Sequence, residues 1–310
     1  MTEERSRMGP SGEQFELRAG DYAATVTEVG AALRTLTHRG GPLVRSFAED
    51  EIMPCYSGAV LAPWPNRVTD GRYRHERSIR QLPITEPERG TALHGLVVWV
   101  PWRPVSHTAS RLELEYPLWP TPGYPFRLDL RVSYELTETG LTVRLSARNL
   151  GDDPAPYGCS IHPYLVAGEG RVDDWSLRLP ARRVLEPDPE RLLPTGQERE
   201  VAGSALDFRE GTTIGDVEID HAYGDVEFDD TGHAEALLLA GDGHGVRMRW
   251  DRACPWVQVH TADRPEPHLH RTGLALEPMT CPPDAFNSGR DLVWLDPGAT
   301  HDVAWRISAV

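Results

Sequence analysis

The stretch Phe126-Arg127-Leu128-Asp129-Leu130-Arg131-Val132-Ser133-Tyr134-Glu135-Leu136 alternates apolar and polar residues without a break. Successive side chains of an extended chain point to opposite faces, so this pattern fits a strand with one buried and one wet face. Thr137-Glu138-Thr139-Gly140 supplies a turn, and beyond it Leu141, Val143, Leu145 and Ala147 alternate with Thr142, Arg144, Ser146 and Arg148. The two segments together predict an antiparallel hairpin. A chain committed to such a hairpin has to cover its apolar face with more sheet or with helices.

The rest of the sequence favours sheet. Short strand-like runs recur at Tyr22–Val29, Arg111–Tyr116, Trp175–Leu179, Ala234–Leu239, Gly245–Trp250, Trp256–Thr261 and Val303–Val310, separated by turn clusters drawn from 28 Gly and 27 Pro. No amphipathic stripe persists for four helical turns. The expected fold class is therefore all-β, a large antiparallel β-sandwich or barrel. The 310 residues show no composition break that marks a linker, and Glu186 to Gly203 reads as a long polar excursion. A single domain over 14–310 is expected, preceded by a flexible polar arm over 1–13.

Charge and cysteine usage narrow the partners. With 47 acidic against 32 basic residues the formal net charge is −15, which argues against nucleic acid or an anionic membrane as partner. The absence of any 18-residue apolar run and of a signal-peptide pattern predicts a soluble, unexported protein. Cys55, Cys159, Cys254 and Cys281 lie far apart with no C-x-x-C pair, as expected of free thiols in a cytoplasmic chain.

Several residues stand out chemically. Glu277 closes the apolar run Gly273-Leu274-Ala275-Leu276, where a carboxylate is costly unless it is paired or put to use. Asn66 and Arg67 follow two prolines in Ala62-Pro63-Trp64-Pro65, and the Arg67 guanidinium offers a rigid fork of donors for hydroxyls or an anion. His94 precedes Gly95, which allows a ligand close to the backbone, although a structural histidine fits as well. Pro163 stops any strand ladder at His162, so that imidazole is expected to point into a cavity or loop. Asp220 closes a short strand and could accept from substrate hydroxyls or cap a turn. Trp256, Gln258 and His260 share one face of a predicted strand.

Equally useful are the missing motifs. There is no G-x-S-x-G elbow, no Walker A loop and no dinucleotide-binding glycine fingerprint. His268-Leu269-His270 has no acidic or Cys ligand at suitable spacing, so no metal is expected there.

Taken together, Asn66-Arg67 with Asp70-Gly71-Arg72-Tyr73, Leu93-His94-Gly95, His162-Pro163-Tyr164, Ile219-Asp220, Val257-Gln258-Val259 and Leu276-Glu277-Pro278 resemble the aldose 1-epimerase (galactose mutarotase) family. The likeness runs from Gln14 to the C-terminus. It implies a galactose mutarotase-like supersandwich and a small-molecule sugar substrate, with no cofactor and no metal, in a monomer or homodimer. It implies catalytic roles for Glu277 as general base, His162 as general acid and His94 in binding or proton transfer. Sugar-binding roles fall on Asn66, Arg67, Asp220, Gln258 and Tyr164. Two departures from the family pattern, Pro163-Tyr164-Leu165 after His162 and His260 after the Val-Gln pair, point to an altered pocket.

The implied reaction opens the ring to an aldehyde and recloses it on the other face. Burial is expected to raise the Glu277 pKa, and a neighbouring carboxylate to keep His162 charged. A sugar-phosphate mutarotase would need a basic cluster, of which the sequence offers only Arg67; a non-catalytic sugar-binding protein would need no acid and base.

Overall fold

A computed structural model describes residues 9–310 of the chain. The alternating hairpin forms as Leu128–Thr137 paired antiparallel with Gly140–Asn149, closing on Thr137 opposite Gly140. Gly140 takes a φ of +126°, and a Cβ there would meet the Ile307 carbonyl oxygen at 2.6 Å, so the turn needs glycine.

This hairpin lies inside a nine-stranded sheet ordered Arg103–His107, Arg111–Leu118, Leu128–Thr137, Gly140–Asn149, Thr300–Ala309, Gly245–Asp251, His233–Leu239, Ser176–Arg178 and Thr212–Thr213. A six-stranded sheet follows the order Tyr164–Leu165, Leu274–Met279, Trp256–His260, Asp220–Val226, Ala181–Pro187 and Pro194–Glu200. Pairing in both sheets is antiparallel. Gln14–Ala19, Tyr22–Thr27, Leu33–His38 and Gly41–Pro42 make a further four-stranded sheet. The one α-helix among the described residues is the short Ala285–Ser288, and no helix is long and apolar enough to cross a membrane.

One apolar cluster fills the space between the sheets. Leu130, Leu145 and Trp305 reach it from the large sheet, and Val257, Val259, Leu274 and Leu276 from the six-stranded one. Trp305 also donates its Nε1–H to the Pro278 carbonyl at 3.1 Å. That bond ties the strand next to Glu277 to the opposite layer.

Two sequence expectations change. The polar excursion 186–203 contains the edge strand Pro194–Glu200, whose side chains are mostly solvated and so carry no apolar signal. The expected arm over 1–13 falls largely on residues 1–8, which lie outside the described residues. Of the rest, Ser11 is buried and its Oγ–H donates to the Glu49 carbonyl at 3.2 Å.

Candidate active site

The six-stranded sheet turns one face to the apolar core and the other to a cavity of about 230 Å³. Register places the chemistry. Glu277 lies opposite Gln258, and Tyr164 pairs with Ala275, so the same register carried two residues on sets His162 across from Glu277 on its other side. Asp220 pairs with His260, two residues along from Gln258. His162, Glu277, Gln258, His260 and Asp220 therefore share one face, while Leu274, Leu276, Val257 and Val259 occupy the core face. Pro163 interrupts the ladder at His162, whose backbone turns aside to Gly58 and Ala59.

A loop wall closes the other side. Arg67 pairs with Leu93 in a short ladder, and His94 donates its backbone N–H to the Asn66 carbonyl at 2.9 Å. Asn66 and His94 both adopt left-handed φ, +53° and +61°. Gly95 follows at +79°, and a Cβ there would fall 2.0 Å from the Ala62 carbonyl oxygen, so glycine is needed for the His94 loop to lie this close. Arg67 donates through Nε and Nη2 to both oxygens of Glu86, at 2.8 and 3.0 Å, and Thr91 Oγ1–H donates to the same carboxylate at 2.7 Å. Tyr56 packs edge-on against His94, ring centroids 4.7 Å apart, and covers His162 at 6.2 Å.

At the floor, His162 Nε2 and Glu277 Oε1 stand 3.3 Å apart, and both side chains are almost wholly buried. Burial raises the Glu277 pKa well above the carboxylate range, with Asp220 adding to the rise and Arg67 opposing it. Burial also pulls His162 down to about 3, reinforced by His260, Arg45 and Arg264. The expectation of a charged His162 is thus reversed: the carboxylate beside it is itself driven to the neutral form. Both shifts favour the uncharged forms, a carboxylic acid beside a neutral imidazole.

His94 is depressed too, by burial first and then by His162 and Arg67. Its Nδ1 accepts the Asn66 N–H at 3.3 Å, which assigns the proton to Nε2 and leaves a donor for the cavity. His260 is the mirror case. Its Nδ1 stands 3.3 Å from the Ile219 carbonyl, which can only accept, so Nε2 keeps a lone pair. Asp220 resists the upward pull of burial and stays below the ordinary value, held there by His260, Arg67 and the Gln258 amide.

Buried polar atoms seldom lack partners, yet His162 Nδ1, Glu277 Oε2, Gln258 Oε1 and His260 Nε2 all do, and all four residues line this cavity. Such a set is organised for a ligand rich in hydroxyls. His94, His162 and Glu277 also bring ligand atoms within 4.8 Å of one another, close enough to hold one metal ion. The His268/His270 pair is not in that group.

Of the residues singled out in the sequence, Glu277, His162, His94, Asn66, Arg67, Asp220 and Gln258 line the cavity. Tyr164 does not. Its hydroxyl donates to the Cys55 carbonyl at 3.2 Å and its ring backs His162 at 5.0 Å, so it supports that imidazole from behind. Sequence reasoning missed Tyr56, Glu86, Asp263 and Arg264, which also line the cavity. Tyr56 ends the 3-10 turn Pro54–Tyr56 and the other three sit in loops; none shows a periodicity, and only the fold brings them in.

The aldose 1-epimerase family profile matches residues 13–308. The chain is 39% identical to the uncharacterized protein YihR of Escherichia coli K12 over 306 residues, 97% of this chain and 95% of that protein. It is 30% identical to the galactose mutarotase of Rattus norvegicus, over 66% of this chain and 64% of the rat protein. Among solved structures, the GalM/aldose epimerase homologue from C. elegans superimposes with a TM-score of 0.83 at 19% identity, covering 96% of this chain and 98% of that one. Galactose 1-epimerase from Lactobacillus acidophilus gives a TM-score of 0.79 at 22% identity, covering 94% and 92%. At these identities the structures speak for the fold.

Proposed function

The chain belongs to the aldose 1-epimerase family, and from that premise we propose that it interconverts the α and β anomers of a free aldose. The observation that carries the proposal is the buried His162–Glu277 contact of 3.3 Å at the floor of a cavity lined with unpartnered polar atoms.

In the proposed reaction the resting pair holds one proton on Glu277. As the sugar enters, that proton passes to His162, giving a carboxylate and an imidazolium. Glu277 then takes the proton of the anomeric hydroxyl while His162 gives its own to the ring oxygen. The C1–O5 bond breaks as C1=O1 forms, and the pair returns to its resting state beside the open-chain aldehyde. Rotation about C1–C2 presents the other carbonyl face, and the same steps in reverse close the opposite anomer. No net proton enters or leaves the site over the cycle.

His94 donates from Nε2 to a sugar oxygen and acts in binding, because its Nδ1 already accepts the Asn66 N–H and leaves no free lone pair for a proton. Arg67, fixed by Glu86, and Asp220, fixed by Gln258, hold hydroxyls, and Asn66 lines the same cavity. We place the enzyme in the cytoplasm, a reading supported by its four free cysteines, and take it as a monomer or homodimer.

The test is anomer exchange, followed by polarimetry or NMR exchange spectroscopy on a panel of aldoses. Acceleration by the wild type, abolished in Glu277→Gln, is the expected result. No acceleration on any aldose would sink the assignment, and tight sugar binding without exchange would make the protein a binder.

A further inference from the structure

We propose that Arg45, which does not line the cavity, is a positioning residue for anomer exchange, holding in place the two tyrosine rings that lie against the His162 imidazole. The inference rests on the anomer-exchange reading and adds a residue outside the cavity to it.

Both rings meet the imidazole at small angles. Tyr164 stands 5.0 Å away at 32°, and Tyr56 6.2 Å away at 29°. Neither is placed by its own element alone. Tyr164 opens the two-residue strand Tyr164–Leu165, just after Pro163 interrupts the ladder. Tyr56 ends the turn Pro54–Tyr56, in which Cys55 and Tyr56 both take left-handed φ, +51° and +60°. Two successive non-glycine residues in that region are strained, and such a turn persists only where its surroundings hold it.

Arg45 touches both structures. Its backbone N–H donates to the Tyr164 carbonyl at 2.7 Å, and Val44 bridges Leu165, so this segment runs along the edge of the cavity sheet. Its guanidinium carbon lies 3.7 Å from the centroid of the Tyr164 ring, a cation–π contact. Its Nη2 donates to Ser57 Oγ at 2.8 Å, and that hydroxyl donates in turn to the Pro54 carbonyl at 2.7 Å. Tyr164 completes the circuit, its hydroxyl donating to the Cys55 carbonyl at 3.2 Å. One guanidinium thus joins the ring behind His162 to the turn that carries Tyr56. Gly273 makes room for this: a Cβ there would stand 2.9 Å from Tyr164 Cβ and 3.3 Å from Arg45 Cβ.

Packing alone accounts poorly for an arginine here. Its Nε and Nη1 are buried without a hydrogen-bond partner, and among the described residues no carboxylate stands within ion-pair distance of it. An enclosed cation without a counter-ion is costly to a fold. Its charge also weighs against protonating His162, so what it gives the reaction is geometry and not field. Geometry matters at this point, since a proton donor displaced by about 1 Å can cost on the order of 10²-fold in rate.

The test measures kcat and KM for anomer exchange, on whichever aldose the wild type turns over fastest, in Arg45→Met, Arg45→Lys and Ser57→Ala. Arg45→Met is expected to lower kcat about 10-fold, the worth of one cation–π contact. KM should stay within about twofold, because the groups that hold the hydroxyls are untouched. Arg45→Lys should restore part of the loss, and Ser57→Ala, which keeps the charge, should lower kcat by about 3-fold. Wild-type kcat per folded molecule in both Arg45→Met and Ser57→Ala overturns the proposal, and so does a rise in KM with kcat unchanged. If Arg45→Met fails to fold, Arg45→Lys and Ser57→Ala decide in the same way. A second readout needs no activity. Cys159, Cys254 and Cys281 are buried and Cys55 is not, so the rate of thiol labelling by a disulfide reagent reports on the turn. Arg45→Met and Ser57→Ala should each raise that rate about 10-fold, and an unchanged rate in both overturns the clamp. Absence of exchange in the wild type on every aldose would instead count against the proposed function, with the labelling rate still deciding whether Arg45 holds the turn.

Discussion

The strands Leu128–Thr137 and Leu274–Met279 belong to facing sheets and are built on opposite plans. In the first, buried residues alternate with more open ones along its length, as expected of a sheet with water on one side. In the second every residue is buried. Its alternation has not vanished; it has moved from polarity to role. Leu274, Leu276 and Pro278 face the core, and Ala275, Glu277 and Met279 face the cavity side. A sheet covered on both faces can carry chemistry on one of them, because the core behind fixes each side chain while the cavity withholds water. In the proposed scheme the large sheet supplies stability and its partner supplies reactivity.

Substitutions at matching depth should separate the two functions. Glu277→Gln is expected to lower kcat for anomer exchange by roughly 10²–10⁴-fold, the usual worth of a positioned acid–base group. Its melting temperature should hold or rise, since the amide removes a carboxyl whose ionisation burial opposes. Leu145→Ala, in the large sheet's core, should do the reverse. It should cost about 2–5 kcal/mol of unfolding free energy in urea titrations, with kcat per folded molecule unchanged. If Leu145→Ala alters kcat, or Glu277→Gln unfolds the protein, the division between the sheets is false.

Glu86 tests the boundary between the plans. It touches no bound sugar in the proposed scheme but holds Arg67 through two hydrogen bonds. Glu86→Gln keeps shape and loses the charge, so Arg67 should loosen and KM should rise about tenfold, one charge-assisted bond's worth, with a smaller change in kcat. A fall in kcat without a change in KM would move Glu86 from positioning into the chemistry.

Legibility in the sequence follows the same divide. The hairpin and most strands of the large sheet show in the alternation, because water on one face writes polar residues into every second position. The cavity sheet reads poorly: Leu274–Met279 looks like a short apolar run broken by Glu277 and Pro278, and Asp220–Val226 has no strong period. Glu277 was conspicuous for that reason, as a charge where none should be. His162 drew notice through Pro163, and Arg67 through the prolines before it. Glu86 and Arg264 gave no signal, since a loop residue's place in a cavity depends on long-range packing that no local pattern encodes. His162 departs from the expected charged form for a related reason: burial acts on the imidazole as well as on the carboxyl beside it, and neutralises both.

That protonation state gives the mildest and most discriminating test. The folded His162 pKa of about 3 lies below its ordinary 6.5. The native state therefore binds fewer protons there than the unfolded chain, so the stability contributed is present above 6.5 and lost as pH falls toward 3. For Glu277, raised above its ordinary 4.5, the contribution is present below that value and lost as pH climbs through the folded pKa. Between the two limits the pair keeps a single proton. The kcat/KM profile, which reports the free enzyme, should therefore cross 6.5 without an inflection. In His162→Asn, the loss of unfolding free energy between neutral pH and about pH 4 should be smaller than in wild type, because one proton-uptake site of the unfolded state is gone. A histidine-like limb near 6.5 in wild type would mean that water reaches His162 in the free enzyme. The contrast between a wet-faced sheet and a dry-faced one would then fail at the residue where it matters most.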